Sequence, residues 1–539
     1  MKKSILQISL LLLFTCTVYG REYFLPNGNY KKTYIEAEKY FNSGNFNNAL
    51  PLFIQLDSIE KGNANINYKI GFCYLHAATY KTKSIPYFLE ASKDISDNYR
   101  KDDFTEHKAP QITYKYLANA YQLNYEFDKA ISMYLKYKET LGFGRKLTSE
   151  LEDVMHNIET CNNGKDLIKI PKDAIITNLG ANINSAYPDY SPVVSYDEKI
   201  LIFTSKRPGG ISDIKNAKGQ YFEDIYVSNF IADKWQKAVS IGANINTMGH
   251  EGAVNVSKDG TKLFIYKDDG SDGNLYLSEN NGVEWGVPQY LGADINSFAN
   301  ETNACFSADN RILYFVTDRQ GGYGGSDIYK CLKLPNGEWG PAQNLGPIIN
   351  TKYDEESVFI HPNGKEFFFS SKGHKSMGGF DIFSSIIDFE NGYLAAPLNV
   401  GYPINTPDDE VFFKTTADGK RAYFSSDKPG GYGEKDIYLI TYAENELRDV
   451  TLIVGKIINN TRQDISDNLI VVKDMANGEI VQELTANSAT GKFGIDLPIG
   501  TFYKIEYFIK GKEIYNEVID AQKGKGYIVI IRDIPYDGK

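Results

Sequence analysis

Five acidic residues recur along the chain at a nearly constant interval: Asp189, Glu251, Glu301, Glu355 and Glu410, separated by 62, 50, 54 and 55 residues. Each lies five residues beyond an asparagine that closes an Ile-Asn pair, at Asn184, Asn246, Asn296, Asn350 and Asn405. Carboxylates collected into a ring from successive repeats would bind a cation or a basic peptide, since each adds to the attraction for positive charge. The same spacing allows a structural role, in which each carboxylate hydrogen-bonds backbone of the neighbouring repeat. A further acidic stretch, "KDDGSDGN" with Asp268, Asp269 and Asp272, lacks the length and closing glutamate of a calcium loop and reads as a solvated hairpin. There is no HExxH, no CxxC pair and no nucleophile motif, and the six His are far apart, so no catalytic residue, metal or cofactor is expected and the chain does not read as an enzyme.

The elements that must position such a ring are strands. After each Ile-Asn pair come an alternating strand, a turn such as "SKDGT" or "TADGK", a second strand such as "LYFVT" or "FFFSS", a glycine-rich hairpin, and a third strand built on "DIY", "NLY" or "DIF". Short strands and turns repeating about every 50 residues describe four-stranded propeller blades. The last copy stops after "DIYLITYAE" without its outer strand, and "DLIKIPKDAIITNLG" before the first copy is expected to supply it and close the ring. The count over residues 165–445 is five blades, or six if a degenerate blade is hidden. The pattern resembles the TolB-type, WD40-like propeller repeats, although the family's Ser-Pro-Asp-Gly turn keeps its proline only in "HPNG".

Residues 21–161 carry a different rhythm. In "EAEKYFNSGNFNNALPLFIQL" small and aromatic residues fall at Ala37, Tyr40, Gly44, Phe46, Ala49 and Phe53, and Gly71 and Tyr74 repeat the first two 34 residues on. A third copy, with Ala118, Tyr121, Phe127, Ala130 and Tyr134, follows the polar insert "SDNYRKDDFTEHKAP". This resembles the tetratricopeptide repeat, a stack of helix pairs. A closing helix is signalled by "TSELEDVMHNIE", with Ser149 and Glu152 as a capping box and Leu151, Val154, Met155 and Ile158 on one face. The resemblance implies a concave surface that binds a peptide or partner helix, faced by Tyr34, Glu38, Phe41, Tyr68, Phe72, Leu75, Asn119 and Gln122, some of which would instead be core.

Residues 449–535 alternate apolar strands with Asn, Asp and Gly turns, as in a small β-sandwich. The run "GKFGIDLPIGTFYKIEY" resembles the carboxypeptidase regulatory-like fold. Residues 1–20 have the build of a secretory signal, with Lys2 and Lys3 ahead of an apolar run. Cleavage after Gly20 is expected, with a lipoprotein cut before Cys16 as the rival. The other four cysteines are too scattered for a disulfide framework.

At 539 residues the chain holds several cores, and 42% hydrophobic with 24% charged residues is the composition of a folded protein. A net charge of -11 without a basic cluster argues against nucleic acid. The order of units resembles periplasmic proteins associated with type IX secretion and gliding in the Bacteroidetes, whose relatives often continue into a peptidoglycan-binding domain of the outer-membrane-protein-A type; this sequence stops short of one. The resemblance implies a non-catalytic scaffold at the periplasmic face of the outer membrane that joins envelope or secretion-system proteins, tethered through partners or through lipid on Cys16. The alternative is a glycan-binding module, for which the 39 Tyr would provide platforms.

Overall fold

The computed structural model describes residues 29–538 apart from short stretches at 77–79, 143–144, 212–213, 217, 258–259, 269, 271, 308–309, 362–363, 365, 389–392, 444–449, 460–463, 487–490, 499–500 and 522–527. The signal segment with Cys16, and Asp269, lie outside the described residues. Among the described residues no helix is long and apolar enough to cross a membrane.

Among the described residues seven α-helices come first: α1 (Tyr30–Asn42), α2 (Phe46–Ile59), α3 (Ala64–Leu75), α4 (Ser84–Ala91), α5 (Thr113–Leu123), α6 (Phe127–Thr140) and α7 (Arg145–Leu167). α1 packs on α2, α3 on α4 and α5 on α6, with α7 against α6. Small residues mark the close approaches. A Cβ on Gly71 would stand 2.8 Å from the Phe88 ring, so the α3–α4 crossing admits no larger residue. The polar insert is held by Asn65, which takes the Tyr99 hydroxyl at 2.7 Å and donates to the Glu106 carbonyl at 3.1 Å. α7 departs from the expected capping box: it starts at Arg145, which puts Ser149 inside the helix. It buries Val154 and Cys161, whereas Leu151 and Met155 stay 37% and 45% exposed.

Five antiparallel sheets follow in chain order, and their innermost strands are Asp189–Val194, His250–Val256, Glu301–Phe306, Glu355–Ile360 and Glu410–Thr415. Each innermost strand touches the next, and the fifth returns to the first, so the sheets form a closed ring. The closing strand is Ala174–Asn178, paired antiparallel with Asp436–Tyr442 of the last sheet. Thus α7 continues six residues past Cys161 before the ring begins.

The Ile-Asn asparagines weld the ring. Each is at most 1% exposed and makes two bonds to one residue of the third strand of the preceding sheet. Asn246 accepts from the Ile225 N–H and donates to the Ile225 carbonyl, both at 2.9 Å. Asn296 does the same to Leu275, Asn350 to Ile328 and Asn405 to Ile382. Asn184 closes the ring on Ile437. The primary amide presents a donor and an acceptor side by side, as a backbone peptide does, and so extends the ladder where the strand has ended. The hairpin glycines serve the same junctions. A Cβ on Gly324 would lie 1.9 Å from the Tyr353 carbonyl, and one on Gly378 would lie 2.1 Å from that of Pro407.

After the ring come two sheets face to face, one of Lys492–Pro498, Val450–Asn459 and Ile528–Tyr536, the other of Ile480–Leu484, Asn468–Asp474, Phe502–Ile509 and Lys512–Asp520. Ile453, Phe493, Ile505 and Tyr507 fill the space between them.

Replacing Asn296 by Ala strands the Leu275 N–H and C=O in a dry junction. The expected loss is roughly 1–3 kcal/mol, read as a lower thermal unfolding midpoint of the full chain.

Candidate binding site at the propeller rim

All five repeated carboxylates are 0% exposed, and each folds back on the turn that leads into its own strand. Glu301 accepts from the Ser297 N–H at 3.0 Å and hydroxyl at 2.8 Å, Glu355 from Thr351 at 2.8 and 2.7 Å, and Glu410 from Thr406 at 2.7 Å twice. Asp189 and Glu251 do the same with Ser185 and Thr247. Their partners are therefore in the same repeat, not the neighbouring one. A cation 18 residues on completes three of the sites: Arg207 lies 2.5 Å from Asp189, Arg319 3.1 Å from Glu301 and Lys428 3.8 Å from Glu410. Arg207 and Arg319 also donate to the carbonyls of Ile183 and Ile295, and Lys428 to that of Ile404. In the fourth repeat Gly373 stands at that place, and His374 reaches the Ile349 carbonyl at 2.8 Å instead. These cations recur in "SKRPGG", "TDRQGG" and "SDKPGG", at a fixed distance from the acid in three of the five repeats.

None of the five acids lines the channel; the residues one step later do. Tyr190, Gly252, Thr302, Glu356 and Val411 border a cavity of about 470 Å³ at the centre of the ring. In a strand the side chain changes face at every residue, so acids turned away from the lumen place their neighbours in it. Tyr190 stacks on Phe412 with centroids 5.8 Å apart and donates its hydroxyl to Glu223 at 2.9 Å. Lys206 pairs with the same Glu223 at 3.0 Å, and burial holds the Lys206 amine below its ordinary range. Opposite, Thr302 donates to both oxygens of Glu356 at 3.0 and 3.1 Å.

The helices are seated on this rim. Met377, from the hairpin of the fourth sheet, is fully buried in the core of α5, α6 and α7. Around it Gln122 donates to the Met377 carbonyl at 3.1 Å, Asn163 to that of Ser376 at 2.9 Å, and His156 meets the Lys372 carbonyl at 2.9 Å while stacking on Tyr353. Lys81 reaches the two oxygens of Asp408 at 2.8 and 2.7 Å and Asp427 at 3.3 Å. Burial alone would lower the Lys81 ammonium, but these carboxylates reverse that and hold it above its ordinary value.

The residues expected to face a concave groove divide three ways. Tyr34, Tyr68 and Leu75 are enclosed in the helical core, and Glu38 is paired at 2.5 Å with Lys69, whose side chain is 1% exposed. Gln122 is committed to the propeller, and Asn119 accepts from the Tyr134 hydroxyl at 2.7 Å. Phe41 and Phe72 remain half-buried, 5.1 Å apart, and with Phe46, His76 and Tyr116 form an aromatic cluster in which Phe72 stacks on His76 at 4.0 Å. Sequence reading missed His76 and Tyr116, which match no repeat position quoted for the family. Asp268 accepts from the Gly270 N–H within its hairpin.

No family model and no curated protein matches the chain. Among solved structures it is similar to TolB from Acinetobacter baumannii, at 15% identity over 55% of this chain and 71% of that one, with a TM-score of 0.30. A putative TolB from Agrobacterium tumefaciens is similar at 14% identity over 60% and 98%, also at 0.30. An alpha-L-arabinofuranosidase from Lactobacillus brevis is similar at 13% identity over 48% and 92%, at 0.32. These likenesses are low, and the description of the ring rests on its own strand pairing.

Burial raises the carboxyls of Glu355, Glu356 and Glu410 from 4.5 to about 7. Such a group keeps its proton in the folded chain and loses it in the unfolded one between those values, so stability falls as pH rises from 4.5 to 7. The thermal midpoint is expected to fall through that window, and Glu355→Gln to flatten part of the fall. Glu301→Gln, which breaks with Arg319, is expected to cost roughly 1.5–3 kcal/mol at pH 7. Equal responses of the two variants at pH 7 would contradict the assignment.

Proposed function

We propose that the protein is a non-catalytic scaffold of the periplasm or the periplasmic face of the outer membrane, binding envelope or secretion-system proteins. In this reading residues 1–20 are a signal peptide, 21–161 a tetratricopeptide-type array, 165–445 a five-bladed TolB/WD40-like propeller and 449–535 a regulatory-like sandwich. One observation carries it: Lys81 acts on the charge of His76 in the aromatic cluster and bonds a residue that borders the propeller cavity. Lys81 bonds Asp427, which borders the cavity, and burial together with the Lys81 charge holds the cluster's His76 below its ordinary value. A partner segment anchored by aromatics in the cluster therefore continues past Lys81 to the Lys206–Glu223 pair in the cavity. Interfaces draw most of their energy from a few such enclosed anchors.

The glycan reading has its own observation, the Tyr190, Tyr266 and Phe412 rings that border the cavity. Capture from envelope extract separates the two. Phe72→Ala with Tyr116→Ala should weaken capture of a protein partner by roughly 2 kcal/mol or more, with circular dichroism unchanged. Capture that survives this variant but is displaced by added glycan would favour the glycan module. Export is checked on the same material: the mature N-terminus is expected at Arg21, a diacylated Cys16 would replace that cleavage site, and recovery in the cytosol would contradict the proposal.

A further inference from the structure

Further along the innermost strands lies a smaller space. A second cavity of about 50 Å³ is bordered by Asn255, Phe359 and Lys414, which hold equivalent positions on three innermost strands, four residues beyond the repeated acids. Lys414 is 5% exposed, and its Nζ has no hydrogen-bond partner within the protein. Its recorded contact is the face of Phe359, with Nζ 5.1 Å from the ring centroid. Glu198, which borders the same cavity, is already matched by Arg421 at 2.7 Å and the Tyr423 hydroxyl at 3.3 Å.

Two residues beyond the acids, on two of the innermost strands, two more polar groups stand free. Both amide atoms of Asn303 and the hydroxyl of Ser357 are buried without partners. Ser191, Ala253 and Phe412 occupy the same position in their strands and border the wide cavity, and Asn303 and Ser357 are their counterparts in the third and fourth repeats. The backbone is strained at this position, with φ of +53° at Ser191, +61° at Ser357 and +58° at Phe412, in the region non-glycine residues avoid. A buried ammonium with no counter-charge is costly, and so is each buried polar group without a partner.

We propose that this smaller space is a carboxylate-binding site, with the Lys414 ammonium as counter-charge and the Asn303 amide and Ser357 hydroxyl as hydrogen-bonding partners. A carboxylate accepts from all three and carries the one charge the site lacks. The small space takes the carboxylate of a small acid or of a chain end. Burial lowers the Lys414 amine to about 8, which leaves most of it charged at pH 7.

The test is thermal stabilisation of the full chain at pH 7 by sodium acetate, by triglycine and by triglycinamide, against sodium chloride at equal ionic strength. A saturable rise with acetate is expected, reduced at least tenfold in apparent affinity by Lys414→Met and several-fold by Ser357→Ala. Stabilisation by triglycine but not by its amide would assign the site to chain ends; acetate alone would assign it to small free acids. Without ligand, Lys414→Met is expected to be at least as stable as the parent, because it removes an unmatched buried charge. Undiminished acetate affinity in Lys414→Met or in Ser357→Ala would overturn the proposal. So would a parent that responds to neither acetate nor triglycine, since water alone would then satisfy these groups.

Discussion

The ring depends on a junction that no strand makes. Between one sheet and the next the chain leaves its ladder, and a buried primary amide takes over the pairing by giving and accepting one bond at a single residue of the sheet before. Backbone groups in a dry interior must be paired, so the position tolerates few side chains. The carboxylate five residues later holds the turn that presents that amide, and in three repeats a cation ties the carboxylate to the isoleucine carbonyl beside it. Amide and acid are one unit, repeated because every junction poses the same problem, and three junctions add the cation.

The asparagines and acids of that unit were legible because they repeat, whereas the cations went unread. The asparagine and acid spacing marked the sheets, and the unpaired segment ahead of the first copy marked the closing strand. The lumen was not legible: the periodic acids serve the junctions, and the positions after them, Tyr190, Thr302 and Glu356, vary in type because no junction constrains them. Conserving a residue type across repeats is what packing does, and variation is what a binding surface does, so the periodic signal pointed away from the cavity. Within one chain the irregular positions were the informative ones.

The contacts between units were not legible at all. Met377 sits in a "SMGG" hairpin that differs from "GGYGG" by small changes, yet it completes the core of three helices more than 200 residues earlier in the chain. Nothing in periodicity distinguishes an apolar residue that fills its own sheet from one that fills a distant helix pair. The Glu38–Lys69 pair was hidden for a related reason: helical spacing places a residue on a face, but whether that face is open or closed is decided by the next helix.

The strand Ala174–Asn178 waits for Asp436–Tyr442, some 260 residues downstream, before its edge is covered. A chain delivered amino end first must hold that edge unpaired while four sheets assemble beside it, and so remains open to pairing with other chains until the last repeat arrives. Ring closure is then a late, long-range event, and a ribosome or translocation pore that stalls within the fifth repeat would release an unlatched molecule with two sticky borders. The polypeptide's direction of travel thereby becomes part of what the cell must chaperone.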